Sequence, residues 1–210
     1  FVPQFTRAYE DENQHPFVAR SITYFLLAVS GTSVALAVLS PPLILAIFNE
    51  RYAAAAEFAP ILALGGMFQG IYYIYVAGLF YFKKNMLIPV VTIVSGGVNV
   101  ALNILWLPEY GLVGAAWATL IGYMVLALGV RWGCRRYTQL PFERARIAWL
   151  VVILGLVGGL ATLLDGLLPL WWELAAKGCL LACTPLFLHL VGFWREDELA
   201  WLKKRLGLSS

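Results

Sequence analysis

Residues 83–131 read KKNMLIPVVTIVSGGVNVALNILWLPEYGLVGAAWATLIGYMVLALGVR. Two charge-free runs, 85–108 and 110–130, are parted by the single charge of Glu109 and bounded by Lys83-Lys84 and Arg131. A helix that crosses the hydrocarbon layer needs about 20 mostly apolar residues. Each run supplies them. The segment Leu107-Pro108-Glu109-Tyr110-Gly111 between the runs is short and rich in turn residues. The stretch therefore reads as two membrane spans meeting at a tight loop, and it sets the fold class: an all-α, polytopic membrane helix bundle.

Working outward, four more stretches lack Asp, Glu, Lys and Arg: 21–49, 58–82, 147–164 and 178–194. If all six cross, the fifteen basic residues partition unevenly between alternate loops. One side receives Arg7, Arg20, Lys83, Lys84, the five arginines of 131–146, Arg195, Lys203, Lys204 and Arg205. The other receives only Arg51 and Lys177. Lys and Arg accumulate on the cytoplasmic side of membrane proteins, so six transmembrane helices with both ends of this segment cytoplasmic are expected. Dropping an internal span would scramble the partition.

Composition agrees. The chain is 61% hydrophobic and 13% charged, against about 25% charged in soluble domains. Its net charge of +3 follows the loops and forms no basic face of the kind nucleic-acid binders present. Two histidines, His15 and His189, are too few for a histidine-rich metal site. Paired carboxylates, a nucleophile with its base and a phosphate-cradling glycine loop are missing in any specific form. Neither an enzyme nor a cofactor is expected. Cys179 and Cys183, four apart on one expected helix, read as small apolar packing residues. The first residues, from Phe1, carry no charged-then-apolar leader and read as a chain already under way, the C-terminal part of a longer protein.

Residues 1–20, with Glu10-Asp11-Glu12, are expected as a cytoplasmic tail or loop. Pro41-Pro42 in the first span predict a break or kink, because proline removes a backbone donor. Residues 49–52 should form an external loop, and Pro60 suits the first turn of the second span. Residues 165–177 read as a further external segment, with Glu173 and Lys177 spaced for a helical ion pair. Trp and Tyr collect at span ends, as interfacial residues do. The tail 195–210, with Leu199, Leu202 and Leu206 at helical spacing, suits an amphipathic helix on the cytoplasmic surface. Gly66 with Gly70, Gly129 with Gly133, and Gly155 with Gly159 suggest close helix approach.

Among charged groups near the spans, Glu109, Asp165 and Glu173 read as solvated edge residues. His189 is an intramembrane candidate, most simply a neutral side chain bonded to a neighbouring helix. The informative polar groups are uncharged. Gln69, Tyr72 and Tyr73 stand at i, i+3 and i+4 in span two; Asn99 and Asn103 share a face of span three, with Gly96 a turn earlier. Polar groups left unsatisfied in hydrocarbon cost several kcal/mol. These five either join helices or face a water-filled cavity holding a polar cargo. Tyrosine and amide groups suit a sugar.

The stretch from Asn99 to Thr119, with two asparagines, a proline-containing loop and then Gly111-Leu-Val-Gly114-Ala115-Ala116, resembles the bacterial polysaccharide (lipid-linked oligosaccharide) flippases. These belong to the multidrug/oligosaccharidyl-lipid/polysaccharide exporter superfamily. Residues 3–7 with the acidic tail, 48–52 and 83–85 are similar to that family too. The likeness covers residues 1 to about 137, so 21–137 is the flippase-like four-helix segment and 138–194 the last two helices. The resemblance implies the C-terminal lobe of a two-lobe transporter with its N-terminal lobe missing here. It implies alternating-access transfer of a lipid-linked oligosaccharide across the bacterial plasma membrane, for surface polysaccharide synthesis. Gln69, Tyr72, Tyr73, Asn99 and Asn103 are then the candidate substrate-binding residues. Ion coupling, known in related transporters, finds no intramembrane carboxylate in this reading. Competing readings are a peptidoglycan-precursor flippase, a multidrug exporter, a non-transporting scaffold of a polysaccharide assembly complex and, last, a membrane transferase.

Overall fold

A computed structural model describes residues 15–48, 52–83, 85–135, 137 and 140–194. The expectations for residues 1–14, for 49–51 and for the amphipathic tail 195–210 fall outside them. The regular structure among the described residues is all helix, in α1 (His15–Ile47), α2 (Ala53–Tyr81), α3 (Leu87–Cys134), α4 (Arg144–Leu163), α5 (Leu170–Ala182) and α6 (Thr184–Leu190). Five helical segments among them are long and apolar enough to cross a membrane, the fifth being α5 and α6 together over 170–190. The expected all-α architecture is therefore present.

The 48-residue α3 explains why five segments are counted and not six. A straight helix of that length would run about 70 Å at 1.5 Å per residue, more than twice the hydrocarbon thickness of about 30 Å. It is not straight. Gly111 adopts φ 59° and ψ −145°, a conformation open essentially to glycine alone. The two arms fold back on one another. A β-carbon at Gly114 would lie 2.7 Å from the Trp106 carbonyl oxygen, and at Gly122 3.2 Å from Asn99 Cβ. At Gly129 it would lie 2.7 Å from Val91 Cγ1, and at Gly133 3.3 Å from Leu87 Cδ1. Each step forward in one arm is matched by a step back in the other, the register of an antiparallel hairpin. Gly111→Val is expected to destabilise the protein by about 1–3 kcal/mol, measured by SDS titration in micelles; an unchanged midpoint would mean the reversal does not need glycine.

α2 lies between α1 and α3, while α1 also packs on α4 and α5, and α6 closes against α4 and α5. With lipid outside, apolar burial supplies little drive, so close contact must hold the helices together. Gly66 and Gly70 provide it. A β-carbon at Gly70 would sit 2.6 Å from Val29 Cγ1, and one at Gly66 2.8 Å from Ser33 Oγ, both on α1. Val34 and Val38 of α1 meet Leu150, Ile153, Leu154 and Val157 of α4 in one core. Tyr75, Val76 and Leu79 of α2 meet Val130 and Cys134 of α3 in another.

Four local expectations are corrected. α1 does not break at Pro41 and Pro42 but continues as helix; the carbonyls that these prolines free, those of Ala37 and Val38, belong to residues lining a cleft, where such gaps are tolerated. Pro60 lies inside α2 and not in its first turn, because that helix begins at Ala53. The last span begins at Leu170, so Trp171, Trp172, Glu173 and Lys177 are helical and not external loop. Gly155 and Gly159 mediate no close approach: a β-carbon at either would meet nothing within 4 Å.

Candidate functional site

Gln69, near the middle of α2, is half-buried and forms no hydrogen bond among the described residues. Tyr72 packs at the edge of the α2–α3 core. Tyr73, one step round the helix, is 53% exposed, and the two rings lie 5.4 Å apart, tilted by 59°. Helical geometry explains the split: adjacent residues differ by about 100° around the axis, so Tyr72 turns toward α3 and Tyr73 away from it. An amide and a phenol on a half-uncovered face at mid-helix can donate to and accept from a polar guest, with a ring face beside them.

Asn99 and Asn103 are placed differently. Asn103 Nδ2 donates to the Asn99 carbonyl oxygen at 2.9 Å and to Asn99 Oδ1 at 3.3 Å. Asn99 Nδ2 donates across the hairpin to Thr119 Oγ1 at 3.5 Å, and Thr119 donates to the Ala115 carbonyl at 2.9 Å. A turn earlier Ser95 Oγ donates to the Gly122 carbonyl at 2.7 Å. Asn99 thus joins the two arms of α3, and Asn103 holds Asn99 from within the first arm. No hydrogen bond joins them to Gln69, Tyr72 or Tyr73 among the described residues.

Of two charged clusters the sequence reading held only the Glu173–Lys177 pair. At the α4–α5 connection Lys177, 1% exposed, is held by Asp165 and by Glu173 Oε1, the latter at 2.7 Å. Gly166 N–H donates to Glu173 Oε2 at 3.3 Å. Glu173 is therefore buried, not solvated at a span edge. Its spacing from Lys177 was visible in the sequence; the fold-back of Asp165, made by Gly166 at φ 70°, was not.

At the opposite end of α4, Arg146 Nη1 pairs with Glu143 Oε2 at 2.9 Å. That oxygen also accepts from Thr23 Oγ1 at 2.8 Å. The Arg146 guanidinium lies 4.7 Å from the Phe193 ring centroid and 5.5 Å from that of Tyr24. Trp194 stacks on Tyr24 at 6.1 Å. Arginine can be both ion partner and ring-stacking plane, so one side chain ties α1 to α4 and to the segment after α6. Reading 131–146 as a simple basic connection hid this. His189 is exposed in the last turn of α6. Cys179 is exposed too, so it does not pack inside the bundle as expected; Cys183 is half-buried.

Between α1, α2 and α4 lies a cleft of about 430 Å³. Val34, Pro41, Pro60, Leu64 and Leu154 are among its apolar walls, and Asp165 and Lys177 stand at its end.

Comparison with known proteins gives a coarse class. No family model matches the chain. It is 26% identical over 137 residues to the uncharacterized membrane protein MJ1068 of Methanocaldococcus jannaschii. That alignment covers 65% of this chain and 27% of the relative, so the chain spans about a quarter of the curated protein it matches. The likeness and the apolar helices together make this a multi-pass membrane protein.

Proposed function

We propose that this chain is the C-terminal lobe of a transporter that flips a lipid-linked oligosaccharide across a bacterial plasma membrane by alternating access. The observation that carries the reading is the mid-helix face of α2, where Gln69 has no hydrogen-bond partner among the described residues and Tyr73 stands half uncovered. Polar groups at that depth need partners, and a sugar supplies hydroxyls for the amide and phenol and a face for the ring. The α3 hairpin supports six crossings, since each arm is long enough to span. The thirteen-to-two partition of basic residues supports cytoplasmic placement of both ends. The short coverage of the relative leaves room for an opposing N-terminal lobe. In this reading the protein moves its cargo and does no chemistry upon it.

Among the five candidates, Asn99 and Asn103 serve the proposed lobe chiefly by bracing α3, which their bonds to Thr119 and to one another favour. The same bonds are what a non-transporting scaffold would need, so the test belongs on α2. In the whole protein, Gln69→Leu with Tyr73→Phe removes two hydrogen-bonding groups and keeps both helix and ring. Oligosaccharide translocation into vesicles is expected to fall about tenfold, the worth of one to two net hydrogen bonds, with insertion and expression unchanged. Undiminished translocation would remove the cargo role of α2 and favour the scaffold.

A further inference from the structure

Gly155 and Gly158 of α4 do the opposite of Gly70 in α2 and Gly129 in α3. At Gly155 and Gly158, both on the wall of the cleft, an added β-carbon would meet nothing within 4 Å. These residues hold space open where Gly70 and Gly129 close it. The space is about 430 Å³, within the usual 300–1,000 Å³ of ligand sites. Its walls are almost wholly apolar, and its flank borders lipid wherever α4 is exposed, as at Val151.

Its few polar groups share one character. Ser30 and Thr162 spend their hydroxyl protons on the carbonyls of Leu26 and Gly159, leaving lone pairs only. Pro41 and Pro42 free the carbonyls of Ala37 and Val38. Lys177 is turned to the carboxylates: its side chain is 2% exposed and donates to both. Asp165 is 52% exposed and keeps an oxygen that accepts nothing among the described residues. Two carboxylates against one ammonium leave a negative charge at the mouth. The cleft therefore offers acceptors and asks for a cationic donor joined to hydrocarbon.

We propose that the cleft holds one acyl chain of an amine-headed membrane lipid, a phosphatidylethanolamine, with its ammonium at Asp165. A primary ammonium brings three N–H donors and a positive charge to that rim. An anionic lipid of the same chain length meets repulsion there. This site is separate from the α2 face and stands whether or not the chain carries oligosaccharide.

The whole protein is placed in nanodiscs of equal phosphatidylethanolamine and phosphatidylglycerol, and one lipid at a time carries a diazirine in its acyl chain. Adducts are read at Val34, Val38 and Leu154, which line the cleft and are buried. Phosphatidylethanolamine is expected to label them about tenfold more than phosphatidylglycerol, as a charge-assisted hydrogen bond allows. Asp165→Asn is expected to bring the two lipids near parity. Gly158→Leu fills the cleft without touching the ion cluster and should abolish labelling; Gly159→Leu, one residue on and outside the lining, should not. Equal labelling by both lipids, or undiminished labelling of Gly158→Leu, would overturn the proposal. So would an absence of adducts at the three residues in the unaltered protein, the result if a protein segment or a second copy fills the cleft.

Discussion

Replacing Lys177 with methionine is expected to destabilise the bundle by about 3–5 kcal/mol, the usual cost of removing one partner of a buried pair. Methionine matches the length of the lysine stem and leaves helix propensity almost unchanged, so the loss isolates the charge. What remains is Glu173, buried in α5 with its oxygens facing the vacated ammonium. SDS titration in micelles measures the effect. Glu173→Gln added to Lys177→Met is expected to recover most of it, because a neutral amide no longer needs a counter-charge. Asp165, half exposed, contributes less to the penalty. If Lys177→Met unfolds at the same SDS fraction as the parent, the buried cluster is not holding α5 in place.

Arg146→Met is expected to cost a similar amount, about 3–5 kcal/mol, by a different route. Its partner Glu143, with only 13% of its side chain exposed, keeps the Thr23 hydroxyl and loses the Arg146 guanidinium. The rings of Phe193 and Tyr24 also lose a cation, worth about 2 kcal/mol when desolvated. Trp194 reports the change directly, since it stacks on Tyr24 and meets Phe193 edge-on at 5.3 Å. Its fluorescence should shift to the red as the aromatic group loosens. Arg146→Lys is expected to recover only part of the loss, having the charge without the flat stacking surface. A change in stability within about 0.5 kcal/mol for Arg146→Met would place the residue among ordinary surface positions.

The helical class and most spans were legible because exclusion of charge over about 20 residues is a property of the linear chain. The turn at 107–111 was legible for the same local reason: proline and glycine act on their own backbone. Legibility ended where three residues must meet. Counting Lys177 as a water-seeking charge pushed the last span eight residues too far along, from Leu170 to Gly178. Its second carboxylate, Asp165, lies twelve residues back and returns to it through the turn at Gly166. The small-residue pairs make the same point. Gly66 with Gly70 and Gly155 with Gly159 share one spacing, yet the first pair closes a helix contact and the second faces open space. Likewise, i, i+3, i+4 spacing placed Gln69, Tyr72 and Tyr73 along one side of α2, but which of them α3 covers depends on where the hairpin docks.

The long reach of the Glu143–Thr23 and Arg146–Tyr24 bonds, 120 and 122 residues apart in the chain, has a consequence for biogenesis. The contacts of α1 with α2, of α2 with α3 and between the arms of α3 join segments adjacent in the chain, so they need no distant residue. The seat on α1 that α4 occupies must wait until more than a hundred residues have been synthesised and inserted. During that interval the edge that Thr23 and Tyr24 present to α4 lacks the Glu143 carboxylate and the Arg146 guanidinium. A nascent chain that ends before Glu143 therefore lacks both of the groups that fasten α4 to this end of α1.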